Sequence, residues 1–455
     1  MTIPQEDVRH LLARTGFGVA TASESEAFKA LNYPQAVAKI LDGGQTRAVS
    51  PAPAWLDTIP VTVPATMSAA DRRALDKTRA DQGRELKAWW YDEMLATPSP
   101  FTERMVLFWH NHFTSSLAKV KFPDLLFHQN ELYRKHATGN FATLLHAVVK
   151  DPAMMSYLDT QLNRGIAPNE NFARELLELF TLGEGKGYTE KDVREAARAF
   201  TGWRYKPDVG FNIDWPNHDI APKTFLGRTQ FMNGDDVVDI LLSQPRIAEF
   251  IVEKLWREFI SEAPEPAEVT RLAAVFRTAK YEMKPLLQAL FQSEAFRDGN
   301  TRGALVKTPT ELTVGTLRLV GVTPRDTKNL VNLGRTLGQD LFDPPNVKGW
   351  PGGLAWIDTA RLPERYAFLN TIVGGIATAQ AATAKTRVAQ LTAQQQAGPK
   401  QYTFAGTDAG ELKSLAAFKE NELAQLILPL PPSLPPGGPG GMLGTFILDP
   451  SFQLK

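Results

Sequence analysis

Apolar and polar positions along this chain recur mostly at helical spacing, a pattern that predicts a succession of α-helices. Over residues 5–42, Leu11, Leu12, Phe28, Leu31, Val37, Ile40 and Leu41 mark the core side of two short helices joined at Thr15-Gly16-Phe17-Gly18. Residues 43–67, with four prolines and little periodicity, read as a linker or irregular loop. Ser68 followed by Asp71 is an N-cap with an acidic partner, opening a long amphipathic helix to about Leu95 that Trp89, Trp90 and Met94 anchor. After the Thr97-Pro98-Ser99-Pro100 break, Thr102-Glu103-Arg104 starts another helix with Met105, Phe108 and Trp109 on its apolar side. Further helices are expected at about 123–137, 140–149, 170–182, 190–200, 235–242, 245–260, 266–278, 283–292, 308–320 and 360–384. Residues 203–226 depart from this: Trp203, Tyr205, Phe211, Ile213 and Trp215 alternate with polar residues, which predicts a small β-hairpin inserted between helices. The expected fold class is therefore mainly α, a multi-helix globular array with that hairpin and irregular Pro/Gly-rich loops.

A weak internal echo adds to this. Leu144-Leu145 through Asp151-Pro152-Ala153-Met154 resembles Leu286-Leu287 through Ser293-Glu294-Ala295-Phe296, with Pro-led helices following at Pro168 and Pro309. Leu443 to Phe452 reads as a shorter third version. The echo suggests a duplicated helical unit over about 140–183 and 283–320, well short of a solenoid. The expected organisation is an N-terminal helical segment (1–42), a loop (43–67), a main helical domain (68–428) and a terminal segment (429–455). Within the last, the Pro/Gly stretch 429–441 is expected to be extended and mobile.

At 455 residues and 43% hydrophobic, the chain can bury a large core as two or three structural units or one large domain with extensions. Fifty basic and fifty acidic side chains cancel, and no arginine-rich stretch offers a local exception, so nucleic acid is not an expected partner. The absence of cysteine excludes disulfides, thiolate metal sites, iron–sulfur ligation and a cysteine nucleophile. No run approaches the roughly 20 apolar residues of a membrane span. Residues 1–10 have neither a basic start nor an apolar stretch, so this chain as given shows no secretory signal; either the protein is cytoplasmic or a signal has been removed.

Candidate chemistry concentrates in a few segments. In Asn169 to Gly183, residues Asn171, Arg174, Glu175 and Glu178 share one helix face, with Asn169 just before it. Phe172, Leu176, Leu179, Phe180 and Leu182 form the apolar side. Either the polar face offers oxygens to a cation or polar ligand, or Arg174 simply pairs with Glu178 across one turn. Phe108 to Ser116 carries two of the seven histidines, His110 and His112. Residues two apart on a helix point some 200° from each other, so both reach one metal only if the helix ends between them. Otherwise they are buried hydrogen-bonding histidines. His128 and His218 are further ligand candidates. Thr189 with Asp192 is a capping signature, and Glu195 pairs with Arg198 at a spacing of three.

Asn217-His218-Asp219 with Lys223, at the end of the hairpin, reads either as an acid–base pair in a loop able to close over a pocket or as surface neighbours. Leu341 to Trp356 is a rigid polar-aromatic segment in which Trp350 and Trp356 either stack on a sugar or peptide or serve the core. There is no Gly-x-Ser-x-Gly elbow, His-Glu-x-x-His, phosphate-cradling Gly-x-x-x-x-Gly-Lys or Rossmann glycine fingerprint.

Phe108-Trp109-His110-Asn111-His112-Phe113, Pro168 to Gly183, and Phe342-Asp343-Pro344-Pro345-Asn346-Val347-Lys348-Gly349-Trp350, in that order, resemble the hallmark segments of a large bacterial family. That family is catalogued as the domain of unknown function numbered eighteen hundred, and the resemblance runs from about Val8 to Lys455. It implies a mostly helical, commonly exported protein, often encoded beside a second exported family that resembles alkaline phosphatases and sulfatases. A periplasmic or extracellular location and a protein partner follow as expectations, although this chain shows no export signal. The resemblance implies no catalytic assignment.

Two functional expectations result, and whether the protein is an enzyme stays open between them. The first is a hydrolase or lyase acting on an envelope or extracellular polymer. His112, Glu175 and Glu178 would surround a polar site that His218 and Asp219 close, with Asn169, Asn171, Arg174, Lys223 and Trp350 as binding residues. A divalent cation, where one is bound, would polarise the substrate, with His110 and His112 as its ligands. The second is a non-catalytic assembly or secretion partner of an exported phosphatase/sulfatase-like protein, its polar clusters fixing helix packing.

Overall fold

The computed structural model describes residues 2–56, 66–206, 209–385, 404–407, 409–435 and 437–455, and its helices begin where the chain supplies a cap or a proline. The Ser68 hydroxyl accepts from the Asp71 amide at 3.1 Å and opens Ala69–Ala96. Pro100, Pro123, Pro152, Pro245, Pro266 and Pro309 stand in first turns, where their fixed φ is already helical and no N–H is required. The N-terminal segment holds three helices where two were expected, Gln5–Thr15, Ala22–Glu26 and Tyr33–Asp42, because Thr21 and Asn32 each complete a capping box. Of the expected irregular stretch 43–67, residues 57–65 lie outside the described residues.

Helix dominates, and the strands are short. The stretch that predicted one hairpin begins the first of two: Trp203–Lys206 pairs antiparallel with Gly210–Ile213, and Lys223–Phe225 with Arg228–Gln230. The second closes through Leu226 and Gly227 at φ 45° and 78°, the mirror-image turn that suits the strand twist. Residues 207 and 208 of the first hairpin lie outside the described residues. Val322–Pro324 pairs with Phe404–Thr407 far along the chain.

One contiguous apolar core runs from Ile3 to Phe452. At its centre lies Pro100–His112, buried on every side from Phe101 to His110. A helix buried all round must satisfy its own charges. Glu103 accepts from Arg134 Nε (2.6 Å), Arg134 Nη2 (2.9 Å) and Trp90 Nε1 (2.9 Å). Arg104 pairs with Glu311 at 2.9 Å and with Glu258.

The echoing turns share a device: Asp151 accepts from the Met154 amide (2.8 Å), Ser293 from the Phe296 amide (3.1 Å) and Asp449 from the Ser451 amide (2.9 Å). The helices leading into the first two, Phe141–Val148 and Met283–Phe291, start side by side. The Phe141 amide donates to the Tyr281 carbonyl (2.9 Å) and the Met283 amide to that of Gly139 (3.0 Å). The Pro/Gly stretch is anchored by Asp449, whose Oδ2 accepts from the Ser433 and Leu434 amides (2.6 and 3.0 Å); residue 436 lies outside the described residues. No described helix is long and apolar enough to cross a membrane.

Candidate functional site

The segment 170–182 starts as an α-helix, Asn171–Glu175, and widens over Leu176–Thr181 into a π-helix, in which the Leu182 amide reaches back five residues to the Leu177 carbonyl at 2.9 Å. Widening changes which residues face the core. Phe172, Leu176 and Phe180, and beside them Ala173, Leu177 and Thr181, are buried at intervals of four, whereas Leu179 is only half-buried. Such bulges frequently mark functional sites. Here the Phe180 carbonyl takes an outside partner, His112 Nε2, at 3.1 Å. A carbonyl only accepts, so Nε2 carries the proton and Nδ1 is the basic nitrogen. Nδ1 is buried and makes no hydrogen bond with a described residue. Burial, and then the charge of Lys254, hold the His112 pKa well below its ordinary value against the pull of the Phe180 carbonyl, so the ring is neutral.

Asn111, next to it, ties the same helix end to the segment Leu341 to Trp356. Its Oδ1 accepts from the Trp350 amide at 2.7 Å. Gly349 has φ 84°, and a Cβ there would crowd the Asn111 amide and come within 2.7 Å of the Asn111 carbonyl oxygen, so the close approach requires glycine. Lys348 closes the triangle through an ion pair with Glu184 at 3.2 Å. His112 to Phe180, Asn111 to Trp350 and Lys348 to Glu184 thus join three segments far apart in the chain.

At their junction is a cavity of about 350 Å³, bordered by Asn111, His112, Trp350, Trp356 and a set of charged side chains. The cations are Lys254, Arg257, Lys348 and Lys455, and the anions Glu258 and Glu262. Glu258 pairs with Arg104 of the central helix, and Lys455 with Glu311 of Pro309–Leu319 at 2.5 Å, which places the deep wall on these two helices. Burial draws the Lys455 pKa down to about 8. Burial also pushes the Glu311 carboxyl up, but Arg104 and Lys455 carry it below its ordinary value, so it stays ionised. Lys254, on Pro245–Phe259, differs from the rest: it forms no ion pair with a described residue, and its one close partner is the Phe250 ring at 5.4 Å. Burial, and next Arg257, lower its pKa.

Of the residues singled out from sequence, His112, Trp350 and Trp356 are brought together in this cavity. His110 and His112 do not converge, because the helix runs through both. His110 packs among Trp90, Phe342, Trp350 and Tyr133, with its pKa lowered to about 3 by burial, and His112 among Phe108, Phe113, Phe180 and Phe250. Among the described residues no three His, Asp or Glu side chains are grouped as a metal ion would need. These donors do not fit the expected cation.

Arg174 lies between Glu170 (3.1 Å), Glu178 (3.4 Å) and Glu190 (2.8 Å), an ion network on the outer face. Glu175 beside it forms no ion pair with a described residue; burial, and then Glu178, raise its carboxyl against the pull of Arg174 and of Lys348 from the cavity rim. Asn169 and Asn171 shape the entry to the helix: Asn169 Oδ1 accepts from the Asn171 amide (2.9 Å), and Asn171 Nδ2 donates to the Leu158 carbonyl (3.2 Å).

His218, Asp219 and Lys223 form a separate cluster. His218 Nδ1 donates to the Thr201 carbonyl (2.8 Å), and Lys223 Nζ donates to the carbonyls of Asp219 (2.5 Å) and Ala221 (3.0 Å). Asp219 is held by Arg198 through Nε (2.7 Å) and Nη2 (3.3 Å). Burial pushes its carboxyl up, but the Arg198 and Ala221 hydrogen bonds and the Arg198 and Lys223 charges carry it below the usual range. None of the three borders the cavity of His112.

Missed from sequence were Asn111, Lys254, Arg257, Glu258 and Lys455. The available signal was small: Lys254 and Glu258 stand four apart on an amphipathic helix that carries four other charged residues.

Fold and site together define a mainly α-helical protein with a cation-rich cavity where three distant segments meet. The chain belongs to the family described as "Protein of unknown function (DUF1800)", which it matches over residues 10–454. No curated protein and no solved structure matches it.

Proposed function

We propose that this cavity is an active site for an anionic ligand and that the protein cleaves an acidic polymer of the cell envelope or extracellular space, as a hydrolase or lyase. The observation that carries this reading is Lys254, a half-buried cation that pairs with no carboxylate among the described residues. A buried charge is normally paired, and a carboxylate or phosphate of a ligand would supply the missing partner. Arg257 and Lys348 border the same space and add to its positive field. His112 supports acid–base work beside them, being neutral, fixed in one tautomer by Phe180 and left with an unengaged Nδ1. Glu175 stands outside the cavity's lining, and its raised carboxyl within electrostatic reach of Lys348 makes it the complementary proton donor in this reading.

The test offers uronate-containing and phosphodiester-linked oligosaccharides to the wild type and to Lys254→Met and His112→Ala, following new chain ends for hydrolysis and ultraviolet-absorbing double bonds for elimination. Turnover by the wild type that Lys254→Met loses through KM, and His112→Ala through kcat, is the expected result. No cleavage of any acidic chain, with melting temperatures that anions shift equally in wild type and Lys254→Met, would remove the reading.

A second reading, an assembly or secretion partner of an exported phosphatase/sulfatase-like protein, rests on a separate surface. Leu162 (65% exposed), Ile166 (94%), Trp215 (59%) and Ile220 (72%) crowd one region. The loop carrying the first two is pinned to that carrying the others by the Gly165 amide on the Asn217 carbonyl at 2.8 Å. Apolar groups gathered at that exposure favour protein contact. Ile166→Asp and Trp215→Asp separate the readings, since they should abolish partner capture in the second and leave cleavage intact in the first.

A further inference from the structure

A second cavity, of about 300 Å³, lies at the other end of the central helix, between Gln5–Thr15, Tyr33–Asp42 and the turn Pro98 to Phe101. Its walls are apolar: Leu12, Phe17, Val19, Phe28, Ile40 and Phe101. The polar groups at its border are engaged elsewhere. Arg318 donates to Glu24 (2.8 Å) and to the carbonyls of Leu95 (2.9 Å) and Thr97 (3.0 Å). The Thr15 hydroxyl donates to the Leu11 carbonyl (2.7 Å), and the Ser99 hydroxyl pairs with that of Thr102 (2.8 Å). Lys39 is the exception. Its ammonium touches only the Ala27 carbonyl (2.9 Å) and the Phe28 ring (4.9 Å), with no carboxylate partner among the described residues.

We propose that this cavity binds a medium-chain carboxylate, with its hydrocarbon tail among the apolar walls and its head group on Lys39. Ligand sites are concave, mostly apolar and oriented by a few polar groups, and this one has a single unpaired cation at its edge. Size sets the class: at about 30 Å³ for each water-sized group, the space admits roughly ten such groups, a chain of about eight to ten carbons. The residues involved are distinct from those of the His112 cavity, so the two assignments stand or fall separately.

The experiment titrates the full chain calorimetrically with octanoate, octanol and acetate. Saturable one-to-one octanoate binding, weaker octanol binding and none for acetate is the expected pattern. Lys39→Ala should weaken octanoate by roughly two- to fivefold, as expected for an exposed ion pair, and leave octanol unchanged. Leu12→Phe, which fills the space, should abolish both, with Ile40→Phe as a second filling variant in case the first melts early. No saturable octanoate binding by the wild type, or binding that survives in a folded filling variant, would overturn the assignment.

Discussion

Asp151 tests how this fold tolerates a buried charge at one of its repeated turns. The carboxylate is buried and accepts from Gln129 Nε2 at 2.6 Å and from the Met154 amide at 2.8 Å. Burial nevertheless outweighs those hydrogen bonds and raises its pKa to about 7. In an unfolded chain an aspartate titrates near 3.9. Between these values the folded state holds a proton that the unfolded state has lost. Its contribution is therefore fully present below about pH 4 and is lost as the pH rises through about 7. Some three pH units at 1.36 kcal/mol each make this ~4 kcal/mol at most. Asparagine cannot titrate and caps a helix about as well, so Asp151→Asn should remove the pH dependence and leave only a constant offset. Urea unfolding of both proteins between about pH 4 and pH 8.5 measures it, because groups that titrate alike in the two cancel in the difference. The wild type should lose about 2–4 kcal/mol relative to the variant as the pH rises. A difference constant to within about 0.5 kcal/mol across the range would show that Asp151 is ionised in the fold at acid pH and that the reasoning is wrong.

Two further perturbations probe the frame and the floor of the His112 cavity. Gly349→Ala forces a side chain into left-handed backbone against Asn111 and should cost ~2–3 kcal/mol, strain plus the Trp350 hydrogen bond, read from urea midpoints; a loss under about 0.5 kcal/mol would mean that the loop shifts freely. Glu311→Gln leaves Arg104 and Lys455 without their shared buried anion and should destabilise by ~3–5 kcal/mol, whereas adding Lys455→Met should recover part of that loss; an unchanged melting temperature in the single variant would contradict the buried pairing.

Much of the fold was legible because its signals are local. The Ser68–Asp71 cap, the Thr189–Asp192 box and the helix-opening prolines act within one turn, and the structure uses them as their positions imply. What was illegible depended on backbone geometry that side-chain periodicity does not encode. The π-helix over Leu176–Thr181 brings Leu177 fully into the core and leaves Leu179 partly buried at its edge, so a count at 3.6 residues per turn misses Leu177. The second hairpin turns on Leu226-Gly227, a weaker signal than Asn-Gly although its dihedrals are of the same kind.

The site divides along the same line. Phe108 to Phe113, Pro168 to Gly183 and Phe342 to Trp350 drew notice as motifs, and they meet through Asn111, His112, Phe180 and Trp350. Each of these two contacts has a backbone partner, the Phe180 carbonyl and the Trp350 amide, and residue identity says little about either. Lys254 and Arg257 come instead from an amphipathic helix where any reader would assign them to a solvated face. Their role depends on what stands opposite: Glu253 is taken by Arg246 at 2.6 Å and Glu258 by Arg104, so Glu262 is the one acid of the lining not paired with a described residue, against four cations. A frame built from distinctive residues and a positive lining built from ordinary ones is what would result if chemistry constrains the shape of the cavity more tightly than the identity of each charge within it. On that view Lys254→Arg should retain ligand binding while Gly349→Ala loses it, because the first preserves the field and the second moves the wall.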